Sequence, residues 1–383
     1  MHVTSQKTDR TLVIRVSGTL DMTTGNTLEK ELQLSGINRL VLDLNECHFI
    51  SSAGLRVILV ARKQMAGENR TMIVINVSPD VYGIFELTGL SKLLTVKRKI
   101  REIAMDNLQL ISAGVCGECY RLDKETVVKL YHEGVEPYMA EKEKQFAQAA
   151  FVMGIPTAIS YDVVACAGRT GVVFELLDAE LFSTVIRNDL SNLDRHAKML
   201  VDVAKTIHNA KGDPAVLPNF KQSFRDYITQ LEGVLPNEQI RLLMEKLESV
   251  PDAETCVHFD LHSSNIMIQN GEPVIIDMGD LAIGSYLFDV GLMYTIYGVE
   301  ELGLSLLATK IPTAHGVQLW DGFYKHYFED KPAEERAFFD NNRYFFASLR
   351  IIFSITFLPK LREQLVTMLK EILIPKIVGL PAL

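Results

Sequence analysis

The most informative segment of the chain reads His258-Phe-Asp-Leu-His-Ser-Ser-Asn265 and is followed by Pro273-Val-Ile-Ile-Asp277. A loop acid, Asp260, precedes the amide of Asn265, and a short apolar run then ends in a second acid, Asp277. Phosphoryl transfer develops its charge on phosphate oxygens, so a protein that supports it mainly positions a hydroxyl nucleophile and holds magnesium. The order therefore predicts that Asp260 orients the hydroxyl and that the amide and the second acid hold the metal.

Zinc is the alternative ligand for the same segment. His258, Asp260 and His262 are residue types that coordinate zinc. A zinc site would leave the positions of Asn265 and Asp277 without an explanation, whereas a magnesium site uses both. We therefore interpret the segment as part of a magnesium-dependent site.

The chain separates into three parts around this segment. Residues 1–100 alternate strand-like and helix-like apolar patterns, which predict a small sheet-and-helix domain. Residues 101–178 open with a strand, a turn and a strand, whereas helical periodicity dominates residues 179–383. We therefore predict an α+β fold with domains at 1–100, 101–178 and 179–383.

Composition and charge are typical of a folded protein with two or three domains. The chain has 383 residues, of which 48% are apolar and 23% are charged, and domains usually hold about 100–200 residues. Residues 1–100 contain 13 Lys and Arg against 9 Asp and Glu, whereas the remainder contains 26 against 39. Because an acidic surface repels a phosphate backbone, we expect no nucleic-acid partner, and a cationic small substrate is compatible.

Signals for membranes and secretion are weak in this sequence. The apolar stretch Tyr344–Leu358 is shorter than the roughly 20 residues that span a bilayer, and Arg350 interrupts it. The first residues lack the charged start and apolar run of a secretory signal. The five scattered cysteines do not suggest a disulfide framework. We therefore expect a cytoplasmic protein with no membrane partner and a buried helix at Tyr344–Leu358.

The segment at 258–265 resembles the His-x-Asp-x-x-x-x-Asn loop of the aminoglycoside phosphotransferase and choline kinase branch of the protein-kinase-like fold. The resemblance extends over roughly residues 105–330. It implies a two-lobed domain, with a nucleotide-binding first lobe and a large helical, catalytic second lobe. It also implies ATP, or another nucleoside triphosphate, as the donor, magnesium as the cofactor, and an unidentified hydroxyl compound as the acceptor.

The same resemblance implies a role for each polar residue of the motif. By position, Asp260 would be the catalytic acid-base residue, and His258 would support the loop. Asn265 and Asp277 would be the magnesium ligands. Phe259 departs from the pattern, because these kinases often have glycine at that position.

A lysine upstream of the motif would complete the nucleotide site. Lys129 lies in the strand-like run Thr126–Leu130, where a kinase-like lysine would reach the phosphates of the donor. In the family, its glutamate partner falls about three helical turns before a Gly-x-Pro sequence. This spacing favours Glu143, and Glu141 is the alternative.

Two further segments are implied to contact the nucleotide. Gly114 and Gly117 would bring the backbone of a turn over the phosphates. Phe174 and Leu176 belong to the stretch that corresponds to the hinge, whose backbone pairs with the nucleobase in the family. The resemblance therefore places the nucleotide between this turn and the hinge.

Cys116 and Cys119 lie in and beside the same turn. A Cys-x-x-Cys pair can cycle between dithiol and disulfide when its surroundings lower a thiol pKa. Two idle thiols are the simpler interpretation, and both remain open.

The first domain carries a second resemblance. Gly18–Asp21, Val41–Leu44 and Phe49–Leu59 together resemble the STAS domain of anti-sigma factor antagonists. By position, Ser52 corresponds to the serine that accepts a phosphate in that family, although Ser51 replaces the usual preceding acid. A plain helix cap is the alternative role for this serine. The resemblance implies a regulatory or docking domain with a protein partner.

Three functions are compatible with these features. The leading hypothesis is a phosphotransferase that acts on a hydroxyl of a small molecule and carries a fused STAS-like domain. The alternatives are a serine kinase of a STAS module and a catalytically degenerate nucleotide-binding interaction protein. The complete set Lys129, Asp260, Asn265 and Asp277 argues against the degenerate alternative.

Overall fold

The computed structural model describes residues 2–67 and 70–379. The outer ends of the predicted domains, residues 1 and 383, lie outside these ranges. The chain divides into two units, Met1–Ile103 and Ala104–Leu383.

A five-stranded sheet with three helices forms the first unit. The strands follow the order β1-β2-β3-β4-β5, in which only the β1–β2 pair is antiparallel. The strands are β1 His2–Thr8, β2 Thr11–Leu20, β3 Arg39–Ile50, β4 Thr71–Val77 and β5 Thr95–Arg98, and the short strand β6 follows at Arg101–Glu102. The helices are α1 Met22–Glu31, α2 Ser52–Gln64 and α3 Pro79–Leu87. Apolar residues of the parallel strands, such as Ile14, Leu42 and Val74, are buried in the core, as expected for strands covered by helices.

The second unit begins with an antiparallel sheet that packs against one helix. The strand order is β7-β8-β9-β11-β10. These elements are β7 Gln109–Ala113, β8 Gly117–Arg121, β9 Thr126–Tyr131, α4 Pro137–Val152, β10 Ser160–Cys166 and β11 Arg169–Glu175. Helix α4 buries one face, which includes Ala140, Phe146 and Ala150, and also Glu143.

The rest of the second unit is mainly helical. Its helices are α5 Phe182–Asn188, α6 Leu193–Asn209, α7 Phe220–Thr229, α8 Asn237–Ser249, α9 Leu287–Met293, α10 Thr313–Tyr327, α11 Ala333–Phe357, α12 Arg362–Thr367 and α13 Ile374–Val378. Five short strands interrupt them: β12 Glu180–Leu181, β13 Cys256–Val257, β14 Ile266–Gln269, β15 Glu272–Ile275 and β16 Ala282–Ile283. The predicted fold class, a sheet-and-helix domain followed by a sheet and a large helical region, is confirmed.

Aromatic rings fill much of the helical core. Trp320 on α10, the only tryptophan of the chain, is 8% exposed. Its ring centroid lies 5.1 Å from that of Tyr294 and 5.9 Å from that of Phe339. Such ring pairs add stabilisation beyond the buried area alone.

Helix α11 contains the apolar stretch Tyr344–Leu358 up to Phe357. Its residues Phe345, Phe346 and Ile352 are buried in the core, as the sequence predicted. In the described part of the chain, no single helix is long and apolar enough to span a bilayer, and α11 passes that test only together with Pro359–Val378, across a bend of 114°.

Candidate functional site

Lys129 contacts two carboxylates of the candidate site. Its Nζ atom lies 2.8 Å from Glu143 Oε1 on α4 and 2.8 Å from Asp277 Oδ1, just after β15. The hydroxyl of Tyr131 also donates a hydrogen bond to Glu143. Of the two glutamates considered from the sequence, Glu143 therefore contacts the lysine, whereas Glu141 is exposed on the same helix.

The electrostatics keep this lysine charged. Burial acts to lower the pKa of Lys129, but the carboxylates of Asp277 and Glu143 outweigh it and raise the pKa well above its ordinary value. Burial raises the pKa of Glu143, and Lys129 opposes that rise. A permanently charged ammonium group here is suited to contact phosphate oxygens.

Asp260 is held from two sides. Arg350 on α11 places Nη2 2.7 Å from Asp260 Oδ1, and the Asn265 side-chain amide donates to Asp260 Oδ2 at 3.0 Å. Burial acts to raise the pKa of Asp260, but Arg350 and nearby histidines lower it below the ordinary value. The carboxylate is therefore ionised and fixed in orientation.

A buried network beneath the loop explains this geometry. Asp289 accepts hydrogen bonds from the backbone amides of His258 at 2.8 Å and Phe259 at 2.7 Å, and its carboxylate lies 3.0 Å from His208 Nε2. The His258 ring accepts from the Asp260 amide at 3.2 Å and contacts the Ile276 carbonyl at 3.2 Å. Since both ring nitrogens form contacts, His258 links the loop to Ile276, the residue directly before Asp277.

Two residues of the site adopt a left-handed backbone. Phe259 has φ 58° and Asp277 has φ 64°, a region that costs a residue other than glycine about 1–3 kcal/mol. Phe259 occupies the position where the related motif often has glycine. Its ring packs 4.7 Å from that of Phe220 and 5.6 Å from that of Phe353, measured between centroids, and this burial offsets the backbone cost.

A backbone hydrogen bond within the predicted phosphate turn stabilises it. The amide of Gly114 donates to the Gly117 carbonyl at 2.8 Å, so this amide is engaged inside the turn. A Cβ atom on Gly117 would lie 2.3 Å from the Leu130 carbonyl oxygen. The close approach of strands β8 and β9 therefore requires glycine at 117 regardless of any ligand.

The two predicted hinge residues also form backbone interactions within the protein. Phe174 lies in the central strand β11, paired with Val127 of β9 on one side and Ser160 of β10 on the other. The Leu176 amide donates to the Glu125 carbonyl at 2.7 Å, which removes it as a donor to a nucleobase. Among the described residues, no hydrogen bond is seen for the amide of the next residue, Leu177.

The residues present fit a magnesium ion. The side-chain nitrogen of Asn265 donates a hydrogen bond to Asp260. Asp277 contacts Lys129 through one carboxylate oxygen, and 41% of its side-chain surface is exposed. Carboxylate and amide oxygens are the ligands that magnesium prefers, together with water and substrate phosphates. Within residues 2–67 and 70–379, no cluster of three or more His, Cys, Asp and Glu side chains could hold a metal by itself, so the zinc interpretation gains no support.

Cys116 in the phosphate turn and Cys119 in strand β8 are not joined by a disulfide in the structure. Cys119 lies directly opposite Lys129 in the β8–β9 pair. Desolvation raises the pKa of the half-buried Cys119, whereas a redox-active pair needs a lowered thiol pKa. The direction of this pKa shift favours the interpretation as idle thiols.

Sequence reasoning assigned no role to two charged residues of the site, Arg350 and Asp280. Arg350 contacts Asp260 and also lies 3.4 Å from Asp280 Oδ2 through Nη1. The same Nη1 atom donates to the Phe259 carbonyl at 3.2 Å. The available signal was a single charged residue within the apolar stretch Tyr344–Leu358, because such a charge is almost always paired when buried.

In the first unit, the two serines at the start of α2 have different environments. Ser51 is the N-cap, and its hydroxyl accepts from the Gly54 amide at 3.4 Å. Ser52 is the first helical residue and is exposed. The helix cap that the sequence offered as the alternative role for Ser52 therefore belongs to Ser51.

Known proteins resemble both units. A model of the STAS domain matches residues 2–103, and a model of the phosphotransferase enzyme family matches residues 107–324. BtrV of Bordetella bronchiseptica, named as an anti-sigma factor antagonist, is 33% identical over 99 residues, which cover 25% of this chain and 85% of that protein. The structure of ADP-bound aminoglycoside phosphotransferase APH(2'')-Ib matches with a TM-score of 0.47 and 17% identity, over 68% of this chain and 92% of that chain. Plasmodium vivax ethanolamine kinase matches with a TM-score of 0.48 and 16% identity, over 69% and 77%.

Proposed function

This chain belongs to the phosphotransferase enzyme family, with a STAS domain ahead of the family segment, and on that premise we propose that it transfers the terminal phosphoryl group of magnesium-bound ATP to a hydroxyl of a small molecule. The family assignment confirms both resemblances drawn from the sequence and the prediction of an enzyme with an alcohol group as acceptor. The donor, the metal and the size of the acceptor are the proposed part.

The observation that carries this proposal is the position of Lys129 between Glu143 and Asp277. Both carboxylates lie 2.8 Å from Nζ, so one cation links strand β9, helix α4 and the loop after β15. In phosphoryl transfer a lysine held in this way contacts donor phosphates, while the strand-end acid binds the metal.

In the proposed reaction each residue of the site has a separate role. Asp260 orients the acceptor hydroxyl and receives its proton as the new oxygen–phosphorus bond forms and the bond from that phosphorus to the donor's bridging oxygen breaks. Lys129 stabilises the negative charge on the donor. Asn265 and Asp277 would hold magnesium, which when bound neutralises charge on the phosphate oxygens. The Leu177 amide is the hinge donor that we assign to the nucleobase.

The experiment that tests this function measures transfer of labelled phosphate from ATP to aminoglycosides, ethanolamine and other amino alcohols. We expect magnesium-dependent transfer to at least one compound, and a loss of at least about a hundredfold in Asp260→Asn. Asp277→Asn should lose the response to magnesium, whereas Asp202→Asn, an exposed change on α6, should behave as wild type. Transfer by Asp260→Asn at the wild-type rate would contradict the assignment.

Binding of the donor separates this function from a degenerate scaffold. A ligand that binds only the folded state raises the melting temperature, by an amount that corresponds to about 2.7 kcal/mol at a concentration of 100 times Kd. We expect Mg-ATP to raise the melting temperature of the wild type. An unchanged melting curve together with absent transfer would favour the degenerate alternative.

We also propose that the STAS unit binds a protein partner at the start of α2. Ser52 is exposed there and its hydroxyl is free of the capping role. A phosphate on Ser52 would add about two negative charges beside the positive helix end. Mass spectrometry of the chain after incubation with Mg-ATP tests the serine-kinase alternative, because that alternative requires phosphate on Ser52 of this or another copy.

A further inference from the structure

Helix α11 brings one charged side chain to the catalytic loop. Arg350 is the single charged residue between Tyr344 and Leu358. Its chain neighbours Leu349 and Ile351 are buried in the core, so the helix cannot shift without disturbing that packing. The position of the guanidinium group is therefore set by the fold and not by surface flexibility.

The guanidinium group contacts three groups of the site. Nη2 lies 2.7 Å from Asp260 Oδ1, and Nη1 lies 3.4 Å from Asp280 Oδ2 and 3.2 Å from the Phe259 carbonyl oxygen. Only 20% of the side-chain surface is exposed. The guanidinium carbon also lies 5.2 Å from the centroid of the Phe353 ring, which adds a cation–π contact.

Besides neutralising the charge of Arg350, these contacts restrict the orientation of the Asp260 carboxylate. A buried ion pair is often no more stabilising than apolar residues of the same volume, so stability alone explains such a group poorly. Arg350 holds Oδ1 of Asp260 while Asn265 holds Oδ2. One guanidinium nitrogen therefore holds one oxygen of the carboxylate, and a side-chain amide holds the other.

We propose that Arg350 is a positioning residue for the phosphoryl-transfer step, in that it orients the Asp260 carboxylate toward the acceptor hydroxyl and joins the catalytic loop to Asp280. The proposal rests on the function proposed above. It extends the active centre to α11, which lies beyond the segment 107–324 that matches the family model. A displacement of about 1 Å in a reacting group can cost about a hundredfold in rate, so the orientation of this carboxylate matters even where donor binding does not change.

The test compares Arg350→Lys and Arg350→Gln with wild type in the full chain. Lysine keeps the charge, but its single ammonium group cannot reproduce the fork that reaches Asp260, Asp280 and the Phe259 carbonyl together. We expect kcat for Mg-ATP turnover with water as acceptor to fall about tenfold in the lysine variant and about a hundredfold in the glutamine variant.

A matched control lies on the same helix. Arg343 is also partly buried and stacks on Tyr344, and in the described part of the chain it forms no ion pair with a carboxylate. We expect Arg343→Lys to retain the wild-type kcat. The Kd for Mg-ADP should stay within about twofold of wild type in Arg350→Lys, because the change acts on the transfer step and leaves donor binding intact.

The outcomes separate this proposal from the proposed function. A wild-type chain that neither binds nor turns over Mg-ATP overturns the proposed function itself. An active wild type with equal kcat in Arg350→Lys and Arg343→Lys overturns the positioning role alone. A parallel loss of kcat and Mg-ADP affinity in Arg350→Lys also overturns it, since that pattern indicates a general structural role. If Arg350→Gln does not fold, the charge-retaining lysine variant decides the question.

Discussion

Replacing Asp289 by asparagine should release the catalytic loop from its support. Asp289 is 0% exposed. Its Oδ1 accepts from the Phe259 amide, and its Oδ2 accepts from the His258 amide and lies 3.0 Å from the His208 ring. Asparagine has nearly the same shape but only one acceptor oxygen, so its NH₂ group must face at least one of these buried backbone donors.

The magnitude follows from the lost contacts. One hydrogen bond to a charged group contributes about 1.5–3 kcal/mol, and a buried donor left without an acceptor costs about 1–3 kcal/mol more. We therefore expect Asp289→Asn to lower the free energy of unfolding by about 3–5 kcal/mol. For a unit of this size about 1 kcal/mol corresponds to 2–4 °C, so the melting temperature should fall by about 10 °C. Activity should fall as well, because the left-handed backbone at Phe259 loses one of its anchors.

The assay is thermal and urea-induced unfolding of the full chain, with phosphate transfer measured in parallel. Asp202→Asn is the control, because Asp202 lies exposed on α6 and surface changes usually stay within about 0.5 kcal/mol. Equal melting temperatures for the Asp289 and Asp202 variants would refute the reasoning.

Two further pairs of variants test smaller features. Gly117→Ala should destabilise the protein by about 1–3 kcal/mol because its Cβ would meet the Leu130 carbonyl oxygen at 2.3 Å, whereas Gly114→Ala, whose Cβ meets no atom closer than 3.5 Å, should be mild. Equal unfolding midpoints for these two variants would contradict the close-approach argument. Ser51→Ala should lose about 1 kcal/mol through the missing cap, and Ser52→Ala should change stability by less than about 0.5 kcal/mol. The reverse order in urea unfolding would show that the cap was assigned to the wrong serine.

The sequence was most informative for candidate site residues that lie near one another in the chain, and their roles stay predictions. Asp260, Asn265 and Asp277 fall within one loop and hairpin, so their spacing carries geometric information. Glu143 was preferred over Glu141 through its helical distance from a Gly-x-Pro turn, and the structure pairs it with Lys129. Both inferences also depended on the resemblance to the kinase family, which supplied the roles of these residues and the expected spacing of the glutamate.

Contacts between distant segments could not be predicted in this way. Arg350 lies 91 residues from Phe259 along the chain, and the rotation of α11 that aims it at the loop depends on the packing of the whole core. The engaged amides of Gly114 and Leu176 depend on strand register, which a pattern of apolar residues does not fix. The edge strand His2–Thr8 is almost entirely exposed, so it lacks the apolar pattern by which a buried strand can be recognised in a sequence.

The position of the only tryptophan gives the protein a built-in optical reporter. Trp320 sits in the aromatic core of the second unit, and the first unit has no indole ring. Indole emission shifts to longer wavelength when the ring becomes hydrated, so fluorescence follows unfolding of the phosphotransferase unit alone. Far-ultraviolet circular dichroism follows helices and strands in both units. Comparing the two signals in one titration would reveal whether the units unfold together or separately, without cutting the chain.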